Sequence, residues 1–326
     1  MTSDLEWRSL VRPDIPAVVA LLAAAERVDI TREHYDERDL DEEFGDESLD
    51  PSRDTVAVLD GHRLVGMGVV RARGLVGGTY VIELWGTVHP DRRGEGIGRG
   101  ILAIQLHRAA ALHAEVEPAA DARIVVRPFD HCVRHVKLVR AAGLHPLRHW
   151  FDMERDLKEA LPLVPGLGPD LAVVPYDPAR DDEVRLAYNE AFADSFGAID
   201  HGPETWAHWF TGSRAFRAER SSLVLHEGRV VGFCLCYFYE ADAVVDGVTE
   251  GWIGQVGTLG GYRRRGIGTH LIARALEAHR DAGFDRAALD VDGESDIGGL
   301  AIYARLGFRV ARKRTSFVRL LPQRGT

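Results

Sequence analysis

The chain has 326 residues, of which 40 are Lys or Arg and 50 are Asp or Glu, so its formal net charge is −10. This charge disfavours a nucleic-acid-binding surface, because phosphate backbones are bound by clustered Lys and Arg. The length suits two domains of roughly 150 residues each. With no apolar run of about 18 residues, no signal-like N-terminus and only 3 cysteines, we expect a cytoplasmic protein that binds no membrane and no metal.

The first half of the chain predicts a fixed order of elements. A hairpin over residues 56–70 precedes a strand over residues 81–88. A glycine-rich loop follows the strand and leads into an apolar-periodic helix over residues 101–111. A further strand, residues 122–126, leads to a helix that stops at Gly143, because glycine after the last turn is the usual left-handed helix end.

The second half repeats this order after an interruption. Proline and glycine break both periodicities over residues 161–170, which predicts a linker between an N-terminal domain, 1–160, and a C-terminal domain, 171–326. The repeated elements are a hairpin over 223–237, a strand over 252–259, a glycine loop, a helix over 271–278, a strand over 286–291 and a helix that stops at Gly307. The same supersecondary unit is therefore encoded twice.

The two glycine loops predict phosphate binding. The first reads Arg92-Arg93-Gly94-Glu95-Gly96-Ile97-Gly98, and the second reads Arg263-Arg264-Arg265-Gly266-Ile267-Gly268. Small residues between a strand and a helix let backbone N–H groups converge on an anion, and the helix N-terminus adds partial positive charge. We therefore expect two nucleotide-cofactor sites of one design.

Two other phosphate-binding motifs fit less well. A dinucleotide turn needs a third glycine and an acidic residue about 20 positions on. Gly100 and Asp121 could take these roles in the first copy, but the second copy has His270 in place of that glycine and reaches Asp290 only after a full helix. Neither loop ends in Gly-Lys-Ser/Thr, which excludes the P-loop.

Both copies share Arg-x-x-Gly-x-Gly, which resembles the pyrophosphate loop of the GNAT superfamily of acetyl-CoA-dependent N-acetyltransferases. Val88-His89-Pro90 before the first loop, and the segment Ala301-Ile302-Tyr303-Ala304-Arg305-Leu306-Gly307-Phe308, are similar to further motifs of that family. The resemblance implies an α/β (α+β) fold of two tandem GNAT-like domains. Each would have a mixed, mostly antiparallel sheet that is split at its central strand and flanked by helices.

The resemblance also implies acetyl-CoA as co-substrate and a set of binding residues. The loop N–H groups would hold the CoA pyrophosphate, and the end of the preceding strand would pair with the pantetheine arm as an added strand. These residues are Gly86, Thr87, Val88, Arg93, Gly94, Glu95, Gly96, Ile97, Gly98 and Arg99 in the first copy and Val256, Gly257, Thr258, Arg263, Arg264, Arg265, Gly266, Ile267, Gly268 and Thr269 in the second.

Acid and base candidates distinguish the two halves. In this family a tyrosine of the late helix commonly protonates the CoA thiolate, and Tyr303 holds that position, whereas the first half has Val139 there. We therefore expect the first domain to be catalytically silent. Glu250, at the start of the strand before the second loop, is the predicted base. The competing carboxylates are Asp290, Asp292, Asp194 and Asp200.

The expected reaction is transfer of an acetyl group from acetyl-CoA to a primary amine of a small molecule, by a monomer or homodimer. A degenerate first half followed by a competent second half resembles the mycothiol synthases, but Gly251-Trp252-Ile253-Gly254-Gln255 departs from the Glu-bearing strand expected there. Antibiotic modification and mycothiol synthesis remain alternatives for the substrate. A non-catalytic acetyl-CoA sensor is the alternative from another functional class.

Overall fold

The computed structural model describes residues 5–164, 166–193, 195, 197–294 and 299–323. It divides into two compact units: unit 1 contains the chain up to His149 and again from Lys313, and unit 2 is Trp150–Arg312. This division differs from the expected boundaries, because residues 150–160 belong to unit 2 and the residues from 313 onward belong to unit 1. Among the described residues, no helix combines the length and the apolar character that crossing a membrane requires.

The elements follow one another in the order that the sequence predicts. The strands are β1 (Leu5–Arg8), β2 (Thr55–Asp60), β3 (Arg63–Val76), β4 (Thr79–Val88), β5 (Asp121–Val126), β6 (His145–Asp156), β7 (Leu171–Pro175), β8 (Ser222–His226), β9 (Arg229–Tyr237), β10 (Glu250–Thr258), β11 (Arg286–Asp292) and β12 (Arg309–Leu321). The α-helices are α1 (Ile15–Asp29), α2 (Glu37–Phe44), α3 (Pro51–Asp54), α4 (Ile97–Val116), α5 (Val133–Ala141), α6 (Asp181–Phe192), α7 (Pro203–Trp206), α8 (Glu240–Asp246), α9 (Ile267–Asp281) and α10 (Gly299–Arg305).

Unit 1 is built on a mixed sheet. Strands β1 to β4 pair in chain order and antiparallel, and β4 pairs with β5 in parallel. The far side of β5 pairs antiparallel with the end of β12, from Phe317 opposite Val126 to Leu321 opposite Ala122. Phe317 is 1% exposed and belongs to the same core cluster as Ile82 and Ile124, so the last strand of the chain completes this sheet.

Unit 2 has the corresponding sheet. Strands β7, β8, β9 and β10 pair antiparallel in chain order, and β10 pairs with β11 in parallel. The other side of β11 pairs antiparallel with the end of β6, from Trp150 opposite Asp292 to Asp156 opposite Arg286. Each unit therefore takes one strand from the other half of the sequence, which explains why the boundaries differ from a single cut near the linker.

Glycines on the sheet bring each loop helix close to the strands. Gly66 lies opposite Val88 at the end of β4, and a Cβ there would lie 3.0 Å from Ile97 of α4. Gly232 lies opposite Thr258 at the end of β10, and a Cβ there would lie 2.6 Å from Ile267 of α9. A larger residue at either position would have to displace the isoleucine, so glycine lets the helix N-terminus sit against the strand end.

Candidate active site

The sheet of each unit opens at its central parallel strand pair. In unit 1 the pairing of β4 with β5 runs from Thr79–Asp121 to Glu83–Val125, while β4 continues along β3 as far as Val88. In unit 2 the pairing of β10 with β11 runs only from Glu250–Arg286 to Trp252–Ala288, while β10 continues along β9 as far as Thr258. The expected split at the central strand is confirmed in both units.

A bulge in β10 decides which side chains share the opened face. The register with β9 shifts between Ile253 and Gln255, so that Trp252 lies opposite Tyr237 and Gln255 lies opposite Leu235. Paired residues point to the same side of a sheet. Glu250 and Trp252 therefore share their face with Gln255, which simple alternation would have placed on the opposite face.

Glycine is required at the bulge itself. A Cβ on Gly254 would lie 2.5 Å from the ring of Tyr237. The Tyr237 hydroxyl donates a hydrogen bond to Gln255 Oε1 at 2.7 Å. Because its Oε1 is thus held, the Gln255 side-chain amide has a fixed orientation, with its N–H donors on the other end of the group.

Both loops present backbone donors at a helix N-terminus. Gly96 is the N-cap of α4 with φ 91°, and Gly266 is the N-cap of α9 with φ 82°. A glycine cap has no side chain to accept from the first helical N–H groups, which leaves them for an anion. Gly94 has φ 96°, and its counterpart in the second loop, Arg264, also has a positive φ, 62°. The loop therefore demands a left-handed residue even where the sequence supplies an arginine.

The arginine that opens the motif anchors the loop. Arg93 donates from Nε to the carbonyl of Val88 (3.0 Å) and pairs with Asp29 at the end of α1. Arg263 donates from Nε to the carbonyl of Thr258 (3.3 Å) and from Nη2 to the carbonyl of Ala191 in α6 (2.7 Å). Both guanidiniums therefore tie the strand end and the first helix of their unit to the loop.

Unit 1 contains a cavity of about 870 Å³ that joins its split strand to its loop. Ligand pockets have volumes of roughly 300–1,000 Å³. The predicted binding residues that line it are Gly86, Thr87, Val88, Arg93, Gly94, Gly96, Gly98 and Arg99. Glu95 instead pairs with Arg92, and Ile97 is buried in a hydrophobic cluster. Arg134 and Lys137 of α5 add positive charge to the lining.

At the split of unit 1 a carboxylate is ion-paired, and the position that corresponds to Tyr303 is a valine. Glu83 is the last residue of β4 that pairs with β5, which is the position that Trp252 holds in unit 2. Burial acts to raise its pKa, but ion pairs with Arg127 and Arg73 outweigh burial and lower it. Val139, which corresponds to Tyr303, is 0% exposed and packs in the core of unit 1.

In unit 2, Tyr303 is held in a protonated state. It lies on α10, and its ring packs edge-on against Phe308. Burial, with smaller contributions from the charges of Asp290 and Cys234, raises its pKa to about 12. The phenol therefore keeps its proton at neutral pH and can donate it.

The structure places Glu250 within an ion-pair cluster. Its carboxylate accepts a hydrogen bond from Arg286 Nε, and Arg286 also lies 3.7 Å from Glu154. Burial raises the pKa of Glu250, while the charge of Arg286 acts in the opposite direction. Glu250 is the first residue of β10 and lies where β10 and β11 are still paired, before the strands diverge.

Some of the predicted binding residues of unit 2 lie at the loop and the strand edge, and others are engaged elsewhere. Gly266, Gly268 and Thr269 form the helix start, and Val256 and Gly257 lie on the strand beyond the split. Arg265 instead donates to Asp170 at 2.6 Å, and Ile267 is 1% exposed in the core.

One protein family matches a segment of the chain that lies within unit 2. Residues 183–308 match the Acetyltransferase (GNAT) family. This segment, which lies within unit 2, belongs to that family. As a GNAT protein it is an N-acetyltransferase, and acetyl-CoA is its acyl donor.

This GNAT enzyme is similar over most of its length to several known proteins. It is 29% identical over 307 residues to a mycothiol acetyltransferase from Thermobispora bispora, covering 90% of this chain and 92% of that relative. Its fold is similar to that of a GCN5-related N-acetyltransferase from Sphaerobacter thermophilus, with a TM-score of 0.77 and 22% identity over 99% and 97% of the two chains. A tandem GNAT protein from the clavulanic acid biosynthesis pathway gives a TM-score of 0.67 and 18% identity over 97% and 98% of the chains.

Sequence reasoning missed three residues at the split of this GNAT enzyme. Tyr188 of α6 packs against Phe233, and burial with the charge of Asp290 raises its pKa to about 12. The other two are Tyr237 and Gln255, which are joined by a hydrogen bond. Only the bulge brings Gln255 to the face of Trp252, and no sequence pattern fixed the position of that bulge.

The other carboxylates predicted as candidate bases lie in separate parts of the chain. Asp290 is exposed on β11 beyond its last pair with β10, and Asp292, at the end of the same strand, accepts from the backbone N–H of Glu294. Asp200 lies in the loop between α6 and α7. Asp194 lies outside the described residues.

Proposed function

We propose that unit 2 is the catalytic half of this N-acetyltransferase and that it acetylates the primary amine of a small molecule. The observation that carries the proposal is Tyr303, a phenol whose pKa of about 12 keeps it protonated on the helix beside the split strand. Val139, at the matching position of unit 1, is buried in the core and has no proton to give.

The reaction needs two proton movements. The amine nitrogen attacks the thioester carbonyl, the C–S bond breaks, and an amide C–N bond forms. The nitrogen loses a proton to a base, and the departing thiolate takes a proton from the phenol of Tyr303. The fixed N–H donors of Gln255 lie on the face of β10 that carries Trp252, where they can hydrogen-bond an oxygen of the acceptor.

The donor-binding groups proposed for unit 2 are mainly backbone. The strand segment Val256–Thr258 lies beyond the last pair with β11, so its outer edge can hydrogen-bond amide groups of the pantetheine arm. The N–H groups that follow Gly266 would hold the pyrophosphate, and Arg264, which is exposed in the loop, adds charge there.

For unit 1 we propose a donor site without turnover. Its cavity joins the strand edge Gly86–Val88 to the glycine loop, and its volume of about 870 Å³ suits a nucleotide-sized ligand. Glu83 is neutralised by Arg73 and Arg127, and the acid position is a buried valine. The site would therefore bind acetyl-CoA without transferring its acetyl group.

The relatives suggest the acceptor. Because the mycothiol acetyltransferase of Thermobispora bispora is aligned over 90% of this chain, desacetylmycothiol is the first acceptor to test. Aminoglycoside antibiotics represent the alternative substrate class, and simple alkylamines serve as unspecific probes.

The test combines binding and turnover. Native mass spectrometry after incubation with acetyl-CoA counts the bound donor molecules, and two per chain would support a donor site in each unit. CoA thiol release is then followed with each amine. We expect release with at least one amine, and we expect Tyr303→Phe to lower kcat by about 10²-fold or more while the acetyl-CoA Kd stays within about twofold.

Three results would count against the proposal. Donor binding without release for any amine would favour the sensor alternative. Undiminished kcat in Tyr303→Phe would remove the proposed acid. Turnover that survives Gly266→Asp, which places a negative charge in the second loop, but is lost in Gly96→Asp would assign catalysis to unit 1.

A further inference from the structure

We propose that Asp290, rather than Glu250, takes the proton from the attacking amine. This inference deepens the proposed function and rests on unit 2 being the catalytic half. It concerns a carboxylate on β11, the strand that diverges from β10 to open the sheet.

The strand register places Asp290 inside the opening. The last parallel pair is Trp252 with Ala288, and Asp290 lies two residues, or about 7 Å of strand, beyond it. Side chains two residues apart share a face, so Asp290 lies on the face of Ala288 and hence on that of Trp252 and Gln255. Its side chain is exposed. An amine entering the opening on this face can therefore reach it.

The charge of Asp290 affects tyrosine side chains on the helices at both sides of the split. Its negative charge contributes to the raised pKa of Tyr303 on α10 and also to that of Tyr188 on α6. In both cases burial is the larger cause. The carboxylate is therefore within electrostatic range of the proposed proton donor, as expected for the base and the acid of one reaction centre.

Glu250 is less suited to this role. It lies two residues before Trp252, in the part of β10 that is still paired with β11. Its carboxylate is bound to Arg286, and Arg286 is itself near Glu154 and Asp246. Protonating Glu250 would break this pair and leave a buried guanidinium with less compensation, which is costly.

Titratable groups pack near Asp290 from three neighbouring elements. Asp152 lies opposite Asp290 on β6, and Arg312 neutralises it at 3.1 Å. Tyr188 and Tyr303 face the opening from α6 and α10 and stay neutral below pH values near 12. Asp292, two residues further along the same face of β11, accepts from the backbone N–H of Glu294 and is less exposed than Asp290. Asp290 is therefore the more accessible of the two carboxylates to an incoming ammonium ion.

The chemical step balances without any other reactant. The ammonium ion gives one proton to the Asp290 carboxylate, and the free amine then forms the C–N bond as the C–S bond breaks. Tyr303 protonates the sulfur. The new C–N nitrogen still carries one proton more than an amide, and it gives this proton to the Tyr303 phenolate directly or through water. The protonated Asp290 then releases its proton to solvent, so that both groups return to their starting states.

The test uses two acceptors that differ in whether a base is needed. Desacetylmycothiol has an α-amino group, which is mostly protonated at pH 7, whereas hydroxylamine is already neutral at that pH. The variant is Asp290→Asn, and the matched control is Asp292→Asn, the same change two residues further along the same face of β11. Both are assayed by CoA thiol release at several pH values.

We expect Asp290→Asn to lower kcat with desacetylmycothiol by about 10²–10⁴-fold at pH 7. The loss should shrink as the pH rises through the amine pKa, and it should stay below about tenfold with hydroxylamine, which needs no deprotonation before it attacks. The KM for acetyl-CoA should change by less than about twofold. Asp292→Asn should keep the wild-type pH profile.

Several outcomes would overturn the inference. An equal loss with both acceptors would indicate a structural role, and an unchanged pH profile would remove the base role. A loss confined to desacetylmycothiol in Glu250→Gln, with none in Asp290→Asn, would assign the base to Glu250. If the wild-type protein acetylates neither acceptor while binding acetyl-CoA, the proposed function fails and this inference fails with it.

A measurement without any acceptor gives an independent check. Phenolate absorbance can be titrated in the wild type, in Asp290→Asn and in Tyr303→Phe. Removing the nearby negative charge should lower the pKa of Tyr303, so the component that Tyr303→Phe removes should titrate at lower pH in Asp290→Asn. An unmoved titration would place Asp290 too far from Tyr303 for the proposed reaction centre.

Discussion

Arg93 and Asp29 form a two-bond ion pair, with both Nη–Oδ distances at 2.6 Å. The pair joins the first glycine loop to the end of α1, and both side chains are mostly shielded, at 18% and 24% exposed. Its counterpart in unit 2, Arg263, donates instead to the carbonyl of Ala191. The same motif residue therefore fixes both loops, through a carboxylate in unit 1 and through a backbone carbonyl in unit 2.

The first prediction concerns this pair. Arg93→Ala leaves Asp29 without its bidentate partner and should destabilise unit 1 by about 1–2 kcal/mol, between the values for exposed and buried pairs. Denaturant unfolding measures the loss. Native mass spectrometry should show one bound acetyl-CoA fewer, with turnover nearly unchanged. Loss of turnover together with the bound donor would contradict the assignment of catalysis to unit 2.

The second prediction concerns the left-handed residue of the second loop. Arg264 has φ 62°, a conformation that costs a non-glycine residue about 1–2 kcal/mol. Arg264→Gly should remove that cost and gain at most about 1 kcal/mol, because glycine also gains entropy in the unfolded state. Thermal unfolding measures the gain.

Substitutions of Arg264 also distinguish the effect of its charge on acetyl-CoA binding from the effect of its backbone conformation. Arg264→Asn keeps a residue that tolerates positive φ but removes the charge, so it should weaken acetyl-CoA binding about as much as Arg264→Gly does. Calorimetric titration at low and high salt checks this, since a charge effect shrinks with salt. Equal affinity in all three proteins would show that the guanidinium makes no contact with the donor.

The order of elements could be predicted from the sequence because each element carried a local signal. The acidic-Gly turn, the glycine N-caps and the glycine helix stops at Gly143 and Gly307 all precede or follow the elements that the structure contains. These signals come from backbone conformation, which glycine alone adopts cheaply. The phosphate-loop assignment rested on the same residues.

Local sequence signals could not predict the pairing of β6 and β12 or the bulge in β10. No local sequence signal specifies which parallel strand β6 or β12 pairs with, because strand pairing is determined by long-range packing. The pairing of Phe317 with Val126 illustrates this. The bulge before Gln255 reverses the face of every later residue of β10, and this shift is what brings Gln255 to the face of Trp252.

The third prediction concerns that bulge. Gly254→Ala places a Cβ 2.5 Å from the Tyr237 ring, so the ring must move and the bond from its hydroxyl to Gln255 must lengthen. We expect a loss of about 1–3 kcal/mol in stability and a rise in the acceptor KM. Tyr237→Phe is the matched control, because it removes the bond without the clash. Unchanged acceptor KM in both variants would show that Gln255 does not contact the acceptor.

The fourth prediction concerns the pH range of catalysis. An acid must be protonated to act, and Tyr303, with its pKa raised by burial to about 12, stays protonated below that pH. The kcat profile should therefore rise where the base loses its proton and stay level up to about pH 10, without the falling limb that a tyrosine of ordinary pKa near 10 would produce. Replacing Tyr303 with 3,5-difluorotyrosine, whose phenol is more acidic, should introduce that limb at a lower pH. A limb that does not move with the fluorinated residue would assign the proton donation to another group.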